Sequence, residues 1–295
     1  MSRIHAMPLT LCGAVCMSFA GLFLRMMESA DGFQVLFYRS FSLALMVMLI
    51  ACLRRKQGPV DFFFSIDWWD MFMGGLMAIA FSFYVYTLLN TNIASALFIL
   101  SSAPIFASIL GWLFAGEKPS RTTLIAIAMA VAGVGVMVYD GFASGGLVGN
   151  IYAMISALCF AGMLVTVRRL KREDALGGTF VGGVFAMLLN EFIALSIGTG
   201  IIISTWDLGL SLFMGAFTIG IGMALVTWAA GYLPASEVSI LVLIESVVGP
   251  IWVWLAFNEQ TTINAIIGGA IVLGAVILQA TGSGSKKPVD MAPAE

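Results

Sequence analysis

The second half of the chain repeats the first. Phe19-Ala20-Gly21 recurs as Phe160-Ala161-Gly162, and Phe72-Met73-Gly74 as Phe213-Met214-Gly215, both at an offset of about 141 residues. The register holds at Ala94-Ser95 and Ala235-Ser236, then slips by one so that Trp112-Leu113 matches Trp254-Leu255 and Glu117 matches Glu259. Internal symmetry at this length is a signature of membrane transporters. Each half must then be a unit that buries its apolar faces against the other.

Composition fixes the solvent. With 60% hydrophobic and 10% charged residues and a mean hydropathy of +1.02, the chain is too apolar for a water-soluble domain. Hydrophobic spans are expected at 6–27, 33–53, 68–90, 93–115, 121–139, 147–168, 176–202, 209–231, 235–257 and 262–281, each near the ~20 residues that cross a bilayer as a helix. The runs are continuous, without the alternation of a barrel strand. The expected fold is therefore an all-α integral membrane protein of ten transmembrane helices. It divides into a first five-helix repeat at 1–143, a second at 144–283 and a disordered cytoplasmic tail at 284–295.

The cations set the orientation. With the N-terminus in the cytoplasm, twelve of the fourteen Lys and Arg residues fall inside, among them Arg54, Arg55, Lys56, Arg168 and Arg169. Arg25 and Arg39 are expected near the outer ends of the first two spans. The positive-inside rule thus places both termini in the cytoplasm. Five spans per half is an odd number, so the halves are expected to be inverted, which gives two nearly equivalent packings and a basis for alternating access.

Ionisable groups inside a bilayer are costly and mark function. Glu191, preceded by Asn190, and Glu245 lie within expected spans. Glu245 is either a substrate ligand or a neutral carboxyl bonded to a neighbouring helix. Pro250 and Pro104 each deprive an earlier carbonyl of its donor and are expected to loosen spans nine and four. Phe81, Tyr84, Tyr86, Thr227 and Trp228 supply aromatic and hydroxyl groups for an amphipathic substrate, with Ser18 and Ser101 completing a polar cavity. Trp228 fits an interfacial belt equally well. The small residues Ala128, Ala132, Gly133, Gly268, Gly269 and Gly274 make spans five and ten scaffold.

No catalytic or metal site is expected. HExxH and Gly-x-Ser-x-Gly are missing, the one histidine is His5 in the N-terminal tail, and Tyr139-Asp140-Gly141 lacks a second membrane aspartate for protease chemistry. No cofactor is implied. The absence of Lys or Arg clusters inside the spans disfavours phosphate and nucleotide-sugar substrates. It leaves a small neutral or amphipathic molecule and the lipid bilayer as partners, with no nucleic acid.

Pro104 followed by Gly116-Glu117 in the first half, and Ile244-Glu245-Ser246 followed by Asn258-Glu259 in the second, resemble an EamA-type member of the drug/metabolite transporter superfamily. The resemblance covers nearly the whole chain. Arg39 stands where an arginine commonly opens the family's second helix, while Ser246 and Asn258 depart from its usual proline and glycine. The resemblance implies a multi-pass carrier of the inner (plasma) membrane exporting amino acids, with aromatic amino acid exporters the near analogy. A multidrug or quaternary-cation exporter is the alternative. It also implies structural roles for Glu117 and Glu259 at helix ends.

Overall fold

The computed structural model describes residues 3–90, 99–137, 139, 147–170, 175–196, 198, 200–257 and 263–282, and every extended regular element among them is helical. Helix α1 (Arg3–Ser18) and α2 (Ala20–Arg25) form one run interrupted at Phe19. They are followed by α3 (Gly32–Arg55), the short α4 (Pro59–Phe64), α5 (Trp68–Asn90), α6 (Ala103–Ala115) and α7 (Arg121–Met137). The second half comprises α8 (Leu147–Arg169), α9 (Leu176–Ser196), and α10 (Thr205–Phe213), which passes through a π-helical segment (Met214–Ile221) into α11 (Gly222–Ala230). It closes with α12 (Ala235–Val242), α13 (Ile244–Phe257) and α14 (Ile263–Gly282). Ala94, Ser95, Asp140, Asn258, Glu259 and the tail 284–295 lie outside the described residues.

Among the described residues, seven helical runs are long and apolar enough to cross a membrane, and Ala103–Ala115, Arg121–Val136 and Ile266–Thr281 are shorter apolar helices. Their boundaries are written in the sequence. Asp31 starts α3 through a capping box, accepting from the Phe33 and Gln34 amides at 2.7 and 3.1 Å while the Gln34 side chain accepts from the Asp31 amide at 3.0 Å. Ser204 caps α10 by accepting from the Asp207 amide at 3.0 Å. Gly116 ends α6 in the left-handed region at φ 67°, the conformation glycine adopts without a Cβ penalty.

The helices pack in pairs that obey the repeat. Exchanging α1–α2 with α8, α3 with α9, α5 with α10–α11, α6 with α12–α13 and α7 with α14 maps the contacts onto one another. Thus α5 on α8 corresponds to α11 on α1, α5 on α9 to the π segment on α3, and α6 on α8 to α12 and α13 on α1. The pairs α3 with α9, α6 with α12 and α7 with α14 map onto themselves.

Equivalent residues occupy equivalent environments. Met73 and Met214 are fully buried, while Phe72 and Phe213 point outward, as do Trp112-Leu113 and Trp254-Leu255. Large apolar side chains on the outside are at home in lipid. Gly74 and Gly215 allow close approach to the facing helices: a Cβ on Gly74 would lie 2.5 Å from Val181 Cγ1, and one on Gly215 would collide with the Arg39 carbonyl. In the α7–α14 pair, a Cβ on Gly133 would stand 2.9 Å from the Gly268 carbonyl. This is the small-residue approach expected of a scaffold pair.

A third trace of the repeat lies in the breaks. The α6 helix starts at Ala103 after the turn Ser101–Ser102, and α13 starts at Ile244 after Leu243. Ala103 and Ile244 stand at the same offset of about 141 residues as the sequence repeats. Pro104 therefore sits in the first turn of a helix, where its missing N–H costs nothing, and does not kink one from within. Pro250 lies inside α13, downstream of the break at Leu243.

Candidate functional site

Glu245 stands just after the break in the α12–α13 run and retains accessible surface although it lies inside the bundle. Arg39, from the second turn of α3, lies within electrostatic reach of it. Arg39 is 5% exposed, so near the start of its span its side chain is turned into the bundle. The guanidinium lies 5.6 Å from the Phe81 ring centroid, close enough for a cation–π interaction. Tyr84, one turn on from Phe81 and on the same face of α5, lies within electrostatic reach of both Arg39 and Glu245.

Arg39 and Glu245 feel each other by coulombic attraction, without a direct hydrogen bond or contact ion pair between the two side chains. An arginine and a glutamate are thus held inside an apolar bundle without a direct bond between them. Burying charge this way costs several kcal/mol per ion unless a partner compensates it. Such a gap suits a ligand carrying one charge of each sign.

An aromatic wall adjoins this group. Trp252 lies on the Glu245 face of α13, two turns or about 10 Å further along. Its ring stacks on Phe19 at 4.4 Å between centroids and 17° between planes. Phe19 in turn meets Phe217 at 6.1 Å, and Phe217 stacks on Phe213 at 5.4 Å. Ser18 ties the wall together, accepting from Trp252 Nε1 at 2.9 Å while donating to the Val15 carbonyl at 2.6 Å.

The remaining expected residues go elsewhere. Tyr86 faces away from Tyr84, as residues two apart on a helix must, and joins Phe33, Phe83 and Tyr152 at centroid distances of 5.3, 5.7 and 6.1 Å. Its hydroxyl lies 3.5 Å from Asn190 Oδ1. Asn190 is fully buried and donates to Ser82 Oγ at 3.0 Å and to the Ala186 carbonyl at 2.7 Å. It pins α9 to α5. Glu191 is half-buried next to the outward Phe192 and takes no part in the Arg39–Tyr84–Glu245 group. Thr227 is buried, donates to the Met223 carbonyl at 2.8 Å and lies 3.4 Å from the Thr179 hydroxyl on α9. Ser101 is buried in the turn before α6. Trp228 sits at the α3 end bearing Arg54, whose guanidinium lies 4.0 Å from its ring centroid.

Asn190 gives a sharp expectation. Asn190→Ala removes a side chain whose amide bridges two helices, and should lower stability by about 1–3 kcal/mol. Substrate selectivity should be unchanged, as checked by thermal unfolding beside a competition assay.

Residues that hydropathy did not single out also hold the site. Asp207 is fully buried and accepts from the Glu28, Ser29 and Ala30 amides at 2.9, 3.0 and 3.0 Å and from Ser29 Oγ at 3.0 Å. It fastens the α2–α3 loop to α10, and the Trp206 indole adds a bond to the Met26 carbonyl at 3.1 Å. The signal was the Ser204-x-x-Asp207 cap. Glu117, just past the αL glycine, pairs with Arg168 at 2.6 Å, and Arg168 also donates to the Gly231 carbonyl at 2.8 Å. The ends of α6, α8 and α11 are joined there.

Comparison with known proteins agrees with this architecture. An uncharacterized transporter of Archaeoglobus fulgidus is 26% identical over 274 residues, covering 90% of this chain and 92% of that protein. The pseudopaline exporter CntI of Pseudomonas aeruginosa is 25% identical over 253 residues, covering 83% and 84%. A solved crystal structure that is 19% identical superposes with a TM-score of 0.78 over 96% of this chain and 99% of its own, a likeness of fold. Residues 5–139 and again 147–281 match the EamA-like transporter family, one match to each half of the repeat, and the chain belongs to that family.

Proposed function

We propose that this transporter is a secondary carrier that exports amino acids, aromatic and large neutral ones foremost, through the space between Arg39 and Glu245. The observation that carries this is the arginine and glutamate held inside the bundle without a direct bond between them. An α-amino acid presents an ammonium and a carboxylate at fixed spacing, and each would find its counterion, Glu245 for one and Arg39 for the other. Tyr84 and Phe81 line the head-group end, and the Phe19–Trp252 wall with Ser18 behind it offers an apolar surface for the side chain.

The same pair argues against the lipophilic-cation alternative. A monocation bound at Glu245 would face the buried Arg39 guanidinium with nothing to offset it, a like-charge juxtaposition costing several kcal/mol. A zwitterion brings the missing carboxylate.

In this reading ten spans form two inverted five-helix repeats, residues 1–143 and 144–283, with both termini in the cytoplasm of a cell whose plasma membrane holds the protein. The paired contacts that interchange under the repeat support two alternative packings, the requirement for alternating access. Pro104 follows the break in span four directly, Pro250 lies two turns beyond the break in span nine, and both loosen the spans they sit in, with Ser101 and Thr227 acting in the packing around the cavity.

Purified protein in proteoliposomes loaded with a panel of labelled amino acids tests the reading. Large neutral amino acids are expected to leave faster than from empty liposomes, and an imposed pH gradient separates facilitated from proton-coupled efflux. Efflux of tetraphenylphosphonium with no amino acid efflux would overturn it in favour of the cation exporter.

A further inference from the structure

The α13 stripe that carries Glu245 and Trp252 contains a residue with no side chain. Gly249 stands four residues after Glu245 and three before Trp252, so all three share one face of the helix. At 1.5 Å per residue it lies about 6 Å from Glu245 along the axis and about 4.5 Å from Trp252. The outward residues of α13, Ile251, Trp254 and Leu255, are turned away from Gly249 by about 120–160° around the helix. Gly249 therefore faces the bundle, yet it is only half-buried.

Helix packing does not call for a glycine here. Where α1 meets α11, a Cβ on Gly13 would stand 2.6 Å from the Gly222 carbonyl, and one on Gly222 would stand 2.8 Å from Met17 Cγ. Those two glycines let the helices approach. A Cβ on Gly249 would instead meet the Ser18 carbonyl at 3.4 Å, an ordinary contact, and nothing else within 4 Å. Its φ is not in the left-handed region either, so no turn demands it. What the missing side chain leaves is room, bounded at one end by Glu245 and at the other by Trp252, whose ring is held by its stack on Phe19 and its bond to Ser18.

We infer that Gly249 is the specificity-determining residue of this cleft, and that the aromatic ring of the substrate lies in the space its side chain would fill. The role rests on the proposed function for the head group, since a ring one carbon removed from a head held at Glu245 comes to rest beside Gly249. A pocket of fixed length discriminates by the groups it has no room for.

The test is efflux of labelled phenylalanine and alanine from proteoliposomes of wild type, Gly249→Ala and Gly249→Leu. Gly249→Leu is expected to lower phenylalanine efflux about tenfold or more relative to alanine efflux, with Gly249→Ala in between. The residue before a proline is restricted in part through its Cβ, so a glycine that only eases the helix before Pro250 predicts that both substrates fall together. An equal fall, or an unchanged ratio, would overturn the inference. Wild-type protein that moves no amino acid would instead refute the proposed function, and a thiol then decides for Gly249. With Cys12, Cys16, Cys52 and Cys159 replaced by alanine, Gly249→Cys in solubilised protein is expected to react with 2-(trimethylammonium)ethyl methanethiosulfonate far faster than Leu255→Cys on the outward face. Phenethylamine should slow that reaction and ethylamine should not. An unreactive thiol, or one that phenethylamine fails to protect, would overturn the inference whatever the head group.

Discussion

Glu245→Gln is expected to lower amino acid efflux by about 100-fold or more while leaving membrane insertion and fold intact. The substitution keeps the shape of the side chain and removes the charge within electrostatic reach of Arg39. Two losses add. The substrate ammonium loses a charge-assisted partner, and Arg39 is left as an uncompensated cation in an apolar bundle, which disfavours the ammonium further. A charged hydrogen bond contributes about 1.5–3 kcal/mol, and about 2.8 kcal/mol is the 100-fold. Arg39→Gln should cause a loss of similar size through the carboxylate. Because both residues meet one ligand, the two substitutions should be strongly non-additive, Arg39→Gln with Glu245→Gln costing little more than either alone. Initial efflux rates of labelled phenylalanine, normalised to protein reconstituted, provide the check. Additive losses would place the two residues at separate sites.

Gly215→Ala is expected to be among the most damaging single changes to stability. Its Cβ would run into the Arg39 carbonyl and the Ser42 hydroxyl, where a helix backbone has to move to make room. Overpacking of this kind costs about 1–3 kcal/mol and more where backbone must shift. The repeat supplies a matched pair: Gly74→Ala meets Val181 and the Gly182 amide and should also destabilise, whereas Gly75→Ala, with nothing within 4 Å, should be neutral or stabilising. Alanine is the better helix former by about 0.5–1 kcal/mol. Thermal unfolding of detergent-solubilised protein should rank Gly215→Ala below Gly74→Ala and both below Gly75→Ala. A Gly215→Ala protein as stable as wild type would show that α3 and the π segment are not packed as described.

Much of this architecture was legible in the amino-acid order because a bilayer makes secondary structure obligatory and hydropathy reports it directly. The Phe-Met-Gly triplets carried the repeat and also its packing: Phe outward, Met inward, Gly against the facing helix. The site was legible only in part. Glu245, Tyr84 and Phe81 come together, but hydropathy, which places Arg39 near one end of its span, says nothing of the groups that helices far away in sequence bring to it.

Depth also misled where face decides. Tyr84 and Tyr86 lie at nearly one level of α5, yet the turn of the helix sends the first to Arg39 and the second to Asn190. Thr227 and Asn190 were read as pocket groups because polar residues in a span are rare. Asn190 also bonds across to Ser82, and Thr227 lies 3.4 Å from the Thr179 hydroxyl of the next helix, so both help tie helices together. The π-helical segment left no trace in the apolar run that encodes it, although it carries Phe217 of the aromatic wall.

The most direct test of the charge-pair account is efflux, from proteoliposomes of the wild-type protein, of labelled phenylalanine beside its two single-charge analogues, phenethylamine and 3-phenylpropionate. Zwitterion recognition by Arg39 and Glu245 together predicts rapid efflux of phenylalanine through the protein and slow protein-dependent efflux of both analogues. Phenethylamine moved as fast as phenylalanine would contradict it, because Arg39 would then have no part in recognition.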